Sequence, residues 1–324
     1  MSTIQNRPRA RKPRVLIVTP ALAAANNGNW RTAARWQRFL SPVATVECAL
    51  AYTGQACDIM IALHARRSAD SIAAFAGTGR PIVLVLTGTD LYRDIGHDAS
   101  AQRSLTLADR LVVLQDRGHL RLPPDLRERC RVIEQSAPTL RSMTPRRRTF
   151  DMAMVGHLRA EKDPLTALRA LALLPERIGL RLRHAGRNDD RELGPVVHDA
   201  ALADPRIELL GPMSHGRARR LMRGSRLLLL PSIMEGGANV LIEAVTSGTP
   251  VLASAIDGST GLLGNDYPGL FPVGDAHALA DLIRRCLDDP AFMAALSSAC
   301  QRRAPLFEPE REARAVRELI GELL

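Results

Sequence analysis

Two glutamates, Glu235 and Glu243, stand eight residues apart in the stretch MEGGANVLIEA, residues 234–244. Between them lie Gly236, Gly237, Ala238 and Asn239, then an apolar run. Just upstream, LLLLPS reads as a buried strand; IMEGGAN is the loop, and VLIEAVTSG is a helix closed by Gly248. Glu235 is therefore expected in a loop above a strand end. Gly236 and Gly237 allow backbone to come close to a ligand, and the amides of Gly237–Asn239 open the helix, a place suited to a diphosphate. Glu243 falls about 7–9 Å inside that helix by the rise per residue. Carboxylates at both ends of a row of amides match an elongated ligand with hydroxyls at its ends and phosphates in its middle, the shape of a nucleotide-sugar. The same block without a ligand is an ordinary strand–turn–helix unit with two incidental glutamates, so other residues must decide.

Three further loops add chemistry of the same kind. VGHLRAEKDP, residues 155–164, follows a strand and opens a helix with Asp163-Pro164, an N-cap followed by proline at the first helical position. It carries Arg159 and Lys162, cations able to clamp phosphate oxygens and offset charge on a leaving diphosphate. Lys162 is notable because Lys12 is the only other lysine, all remaining basic residues being arginine. NNGNWR, residues 26–31, offers Gly28, whose amide suits a phosphate at a helix start, with Asn29 and Arg31 beside it. LTGTDLYRD, residues 86–94, holds Thr89, Asp90 and Arg93, and ALHARRS, residues 62–68, holds His64, Arg66 and Arg67. These first-half arginines suit a small anionic, phosphate-bearing acceptor; each also suits the surface of an arginine-rich protein, and His64 fits a packed loop as well as a binding role.

The elements that must position these loops alternate. Strands are expected at residues 14–20, 44–51, 57–63, 81–87 and 111–114, and again at 151–158, 180–184, 207–210, 227–231 and 250–254. Helices are expected near 26–40, 164–174, 215–223, 238–247 and 277–287, with a charged helix from 308 to 324. Short apolar runs alternating with helices indicate parallel sheets covered on both faces. The pattern divides into a basic arm over 1–13, an N-terminal Rossmann-like half over 14–135 and a linker over 136–150 that includes Arg146-Arg147-Arg148. A C-terminal Rossmann-like half follows over 151–306, then a helix over 307–324 that could cross back to the first half. Two such halves facing each other leave a cleft at the carboxyl ends of their sheets.

The bulk numbers agree with two packed domains: 324 residues, 46% hydrophobic, with only 3% aromatic. No apolar run reaches the roughly 20 residues of a membrane span, and MSTIQNRPRARKPR lacks the apolar core of a secretory signal, so a cytoplasmic protein without membrane association is expected. Neither half shows GxGxxG or GxxxxGK[ST] after its first strand, which lowers the standing of dehydrogenase and P-loop chemistry. Cys48, Cys57, Cys130, Cys286 and Cys300 form no zinc-like spacing and no HExxH occurs, so neither metal nor cofactor is expected. The net charge of +10 invites an anionic partner. Scarce aromatics and the lack of a recognised module argue against nucleic acid.

Taken with these motifs, the chain resembles the two-domain GT-B glycosyltransferases of the large retaining family 4. The most specific element is PSIMEGGANVLIEAVTSGTPVLAS, residues 231–254. The resemblance implies that Glu243 binds the donor ribose and Glu235 lies by the donor sugar. Of the family's basic pair at the diphosphate, Lys162 matches; His157 stands where the family has arginine, and Arg159 could substitute. Thr89-Asp90 replaces a His-Asp motif of the first domain. A narrower resemblance lies in TPALAAANNGNWRTAARW, ALHARRS, LTGTDLYRD, VGHLRAEKDP, MEGGANV and GLLGNDYPGLFPVGD. Together these are similar to the selenosugar synthases of selenoneine biosynthesis, within the same superfamily. That resemblance implies a UDP-sugar donor, UDP-N-acetylglucosamine or UDP-glucose, with selenophosphate as acceptor, catalysis resting on Arg159, Lys162 and Glu235. The alternatives are a hexosyltransferase with a thiol, lipid or glycan acceptor, a sugar epimerase of the same architecture, and an RNA binder using the basic arm.

Overall fold

The computed structural model describes residues 11–25, 27–140, 149–176, 179–188 and 190–324. Most of the expected basic arm, Asn26 and the Arg146-Arg147-Arg148 run of the linker lie outside the described residues.

Among the described residues, twelve strands build two six-stranded sheets. The first comprises β1 (Arg14–Val18), β2 (Thr45–Ala49), β3 (Ile59–Leu63), β4 (Ile82–Leu86), β5 (Arg110–Val113) and β6 (Cys130–Val132), in the order β2-β1-β3-β4-β5-β6. The second comprises β7 (Phe150–Val155), β8 (Leu180–Ala185), β9 (Ile207–Leu209), β10 (Leu227–Leu230), β11 (Val251–Ser254) and β12 (Leu270–Phe271). Its order is β12-β11-β10-β7-β8-β9. Every described register is parallel, as between β1 and β3, β3 and β4, β7 and β8, and β10 and β11. Parallel strands need crossovers, and helices such as Gly28–Leu40, Pro164–Ala172 and His215–Arg223 supply them. Strands covered on both faces read as continuous apolar runs: all of IMIAL, IVLVL and LLLL are buried.

Two compact units emerge. Unit 1 comprises Met1–Leu86, Asp94–Val112 and Ala313–Leu324; unit 2 comprises Thr87–Arg93 and Val113–Glu312. Unit 1 is centred on Leu16, Ile17, Ile61, Leu84, Trp36 and Phe75, all fully buried. The C-terminal helix, Pro309–Gly321, carries its later residues into this unit: Arg317 Nε donates to the Phe39 carbonyl at 2.8 Å. Unit 2 packs Met152, Leu182, Leu228, Leu252, Leu241 and Phe307 into one apolar core. Among the described residues no helix is long and apolar enough to cross a membrane.

Candidate functional site

In an open parallel sheet, ligands bind at the carboxyl ends of the strands where the strand order reverses, because the flanking connections there leave on opposite faces and open a crevice. In the second sheet the reversal lies between β7 and β10. The loops concerned are residues 156–163 and 231–238, the two that carry Arg159, Lys162, Glu235, Gly236, Gly237 and Ala238.

The structure joins them directly. Lys162 Nζ donates to Glu235 Oε1 at 2.5 Å, with the lysine side chain a third exposed and the glutamate about a tenth. Ser232 Oγ donates to the same oxygen at 2.8 Å, and Ser254 Oγ donates to the Ser232 carbonyl. Lys162 is aimed by Asp163, whose left-handed backbone (φ 40°, ψ 57°) turns the loop sharply before the helix. The Asp163 carboxylate accepts from Thr166 N at 3.3 Å and Thr166 Oγ1 at 2.6 Å, and Pro164 takes the first helical position. Capping thus offsets the cost of the strained turn. Arg159 is exposed, and its side chain has no partner among the described residues. His157 is engaged otherwise: its Nδ1 accepts from Arg187 N at 3.1 Å. Beneath the loop, buried His184 presents Nε2 to the Gly156 carbonyl at 2.9 Å, and burial lowers its pKa below the usual imidazole value.

Gly236 has no room for a side chain. A Cβ there would overlap the Thr87 carbonyl, so the 87–93 loop lies directly against it. That packing explains why Thr89, Asp90 and Arg93, placed by sequence reasoning in the first half, belong to unit 2. Asp90 is fully buried, and its Oδ1 accepts from the amides of Thr87 at 2.9 Å and Gly88 at 2.8 Å, so it shapes the loop. Thr89 is half-buried and Arg93 exposed. Arg93 Nη1 stands 3.6 Å from Glu161 Oε1, and the Glu161 carbonyl accepts from Ile233 N at 3.0 Å. Glu161 therefore ties the 87–93, 156–163 and 231–238 loops together.

Glu243 is the fifth residue of the helix Asn239–Val245, which Ala238 precedes without a side-chain cap. It is 7% exposed, and its Oε1 lies 2.8 Å from His215 Nε2. Gly248, with φ 75°, ends the helical segment, its N–H donating a hydrogen bond to the Val245 carbonyl.

The remaining predicted residues lie in unit 1, around the reversal between β1 and β3. Gly28 is the first residue of the helix Gly28–Leu40, capped by Asn27, whose Oδ1 accepts from Trp30 N at 3.1 Å. Asn29 and Arg31 lie in its first turn, partly buried. His64 follows β3 with φ 77° and is buried; its Nδ1 accepts from Arg67 N at 3.3 Å. That bond leaves the proton of the neutral ring on Nε2, which stands 3.9 Å from Asp94 Oδ2. Arg66 Nε donates to the same oxygen at 2.9 Å. His64 and Arg66 thus share a buried carboxylate.

Sequence reasoning missed Ser232, Glu161, Asp94 and His215. Ser232 follows Pro231 at a strand end and is visible in hindsight. The others act through partners far away in sequence, for which no spacing rule exists.

The sequence profile of the family described as "Glycosyl transferases group 1" matches residues 141–303, half of the chain. A curated relative, the D-inositol 3-phosphate glycosyltransferase of Mycobacterium bovis (strain BCG / Pasteur 1173P2), is 33% identical over 189 residues. That match covers 53% of this chain but only 38% of the relative's length. Among solved structures, the sucrose-phosphate synthase from Thermosynechococcus elongatus aligns with a TM-score of 0.80 at 18% identity, covering 97% of this chain and 99% of that one. Anabaena Alr3699/HepE in complex with UDP-glucose aligns with a TM-score of 0.75 at 17% identity, covering 96% and 100%. At those identities the likeness to solved structures establishes the two-sheet GT-B fold. The profile match establishes lineage: this chain belongs to the group 1 glycosyl transferases.

Proposed function

We propose that unit 2 binds a UDP-sugar at the carboxyl ends of β7 and β10, and that the chain transfers the hexosyl group to selenophosphate, forming a carbon–selenium bond. The observation that carries the donor assignment is the meeting of Lys162 and Glu235 at 2.5 Å across the strand-order reversal. A sugar diphosphate has its anionic and hydroxylated parts adjoining at the anomeric carbon, and a cation beside a carboxylate matches that junction. In this reading Glu243 takes the ribose hydroxyls. The 236–239 loop, Arg159 and Lys162 hold the diphosphate, and Glu235 orients the hexose. The solved complex of Alr3699/HepE with UDP-glucose supports the donor class.

The donor is UDP-N-acetylglucosamine or UDP-glucose. Selenium attacks the anomeric carbon; the C–Se bond forms as the bond from that carbon to the β-phosphate oxygen breaks, and the electron pair leaves on UDP. Water then cleaves the Se–P bond, giving the selenosugar and phosphate. Lys162 meets the charge that grows on the diphosphate, and holding both reactants in line supplies the rest. Selenium is already nucleophilic, so the step needs no general base. Arg159 and Lys162 carry the neutralisation, so a chelator should leave the rate unchanged. Thr89 and exposed Arg93, on the loop packed against Gly236, are the acceptor residues of unit 2. The selenophosphate assignment is supported by the loop strings given above. The phosphate-bearing acceptor in the name of the curated relatives favours a second reading, transfer to a hydroxyl of a phosphorylated polyol.

Anaerobic incubation with each UDP-sugar, with and without selenophosphate, tests the proposal by following UDP release and product mass together. The expected result is UDP release that requires selenophosphate and a product bearing the selenium isotope pattern. UDP release indifferent to selenophosphate, but stimulated by inositol phosphate, would overturn the acceptor assignment and favour the second reading.

A further inference from the structure

The turn that follows β3 is held from several sides. His64, at φ 77°, sits in a backbone region that strains a residue with a side chain, and its neighbours keep it there. Its N–H donates to the Val85 carbonyl of β4 at 2.9 Å, and its carbonyl accepts from Ser68 N at 3.1 Å. Ser68 Oγ donates to the Leu63 carbonyl at 2.7 Å. Ser104 Oγ, on the helix Ala99–Leu107, donates to the Ala65 carbonyl at 2.9 Å. The turn lies at the carboxyl end of β3, beside the reversal between β1 and β3, where an open parallel sheet takes its ligands.

Two exposed arginines leave this turn, and only one of them is anchored. Arg66 Nε donates to Asp94 Oδ2 at 2.9 Å, the carboxylate 6% exposed and the arginine side chain 42%. The Arg66 Nη1 and Nη2 groups, and the whole Arg67 guanidinium, have no partner among the described residues. A carboxylate this enclosed needs a cation beside it, which Arg66 supplies through one edge alone. The other edge is left as a fork of fixed direction, the geometry that meets two oxygens of one tetrahedral oxyanion. Because the side chain is already ordered, little freedom is lost when those bonds form.

We propose that Arg66, anchored by Asp94, forms an oxyanion subsite of unit 1 that takes a phosphoryl group. That group belongs to the acceptor or to free inorganic phosphate, and the link to the acceptor rests on the selenophosphate reading above.

Calorimetric titration of inorganic phosphate into the full chain tests this with wild type, Arg66→Lys, Arg66→Gln and Arg67→Gln, with melting temperatures alongside. Wild type should bind phosphate saturably. Arg66→Lys keeps a cation beside Asp94 but loses the fork, so it should melt near wild type and bind about tenfold or more weakly. Arg66→Gln, which retains a donor for Asp94, should lose at least as much. Arg67→Gln removes an unanchored charge and should cost no more than about threefold. Failure of wild type to bind phosphate, or equal losses at Arg66 and Arg67, would overturn the subsite, whatever the chain does with UDP-sugars. Inhibition of UDP release by phosphate that added selenophosphate relieves would assign the subsite to the acceptor. Arg66→Lys should then raise KM for selenophosphate by about tenfold and leave KM for the UDP-sugar unchanged. Phosphate held at Arg66 that selenophosphate does not displace would keep the subsite for free phosphate and overturn its link to the acceptor. UDP release that needs no selenophosphate would sink the acceptor reading, and phosphate binding at Arg66 would still decide the subsite.

Discussion

Lys162 and Glu235, 73 residues apart in sequence, meet at 2.5 Å because the strands that precede them, β7 and β10, are neighbours in the second sheet. Each loop is then pinned separately. The capped left-handed turn at Asp163 aims the lysine, and Ser232 Oγ shares the glutamate oxygen. The pair is the product of sheet order, since nothing local to either loop specifies the other.

Lys162→Ala should therefore lower UDP-sugar turnover by about a hundredfold or more, the usual cost of removing a group that meets transition-state charge. Glu235→Ala should fall as steeply. Ser232→Ala removes a hydrogen bond to the Glu235 carboxylate and should cost about tenfold or more. Steady-state UDP release measures all three. Turnover near wild type in both Lys162→Ala and Glu235→Ala would remove these residues from the site.

Gly236→Ala should destabilise the chain, because the added methyl overlaps the Thr87 carbonyl and the loop must yield. Overpacking of this kind costs about 1–3 kcal/mol, read as a lower melting temperature or denaturant midpoint. A companion variant, Gly258→Ala, pushes instead on the Glu235 carbonyl and should depress turnover together with stability.

Acid should weaken the fold through His184. Burial lowers its pKa from the ordinary 6.5, so just below that value the unfolded chain binds a proton that the native chain refuses. Its contribution is fully present above the ordinary value and declines as pH falls below it. His184→Gln should flatten the acid-side slope of stability, measured by urea unfolding between about pH 8 and about pH 5. An unchanged slope would mean that His184 protonates freely in the native state.

The thiols should be inert. Burial pushes Cys48 and Cys130 up to about 11 and Cys286 up to about 12, and raises Cys57 and Cys300 as well. Thiolate, the reactive form, is thereby scarce at neutral pH. Ellman's reagent should label the native chain slowly and all five thiols rapidly after denaturation. Fast labelling of any native cysteine would contradict the burial assigned to it.

What the sequence made legible was local. Apolar runs such as IMIAL and LLLL are strands because burial on both faces demands them, and Asp163-Pro164 caps a helix where the pair of residues says it should. Of the three shortest strands, Ile207–Leu209 was expected, whereas Cys130–Val132 and Leu270–Phe271 were not, two or three residues carrying no period of their own. The helices Leu193–Ala203 and Asp257–Leu263 were missed because Gly194, Pro195, Gly258 and Gly261 read as breakers. The candidate site was legible as far as each loop carried its own glycine or charge, which placed Lys162 and Glu235 in strand-to-helix connections and Glu243 in a helix. It was not legible where one loop answers another: Glu161 with Arg93, Asp94 with Arg66, and His215 with Glu243 all depend on strand order and helix packing.

We propose that unit 2 holds the donor nucleotide through Glu243 and Lys162. Titration of UDP into wild type, Glu243→Ala and Lys162→Ala tests it most directly. Saturable one-to-one binding to wild type is expected, with at least about a tenfold loss in each variant, the value of a hydrogen bond to a charged group. Equal affinity in all three proteins would contradict it.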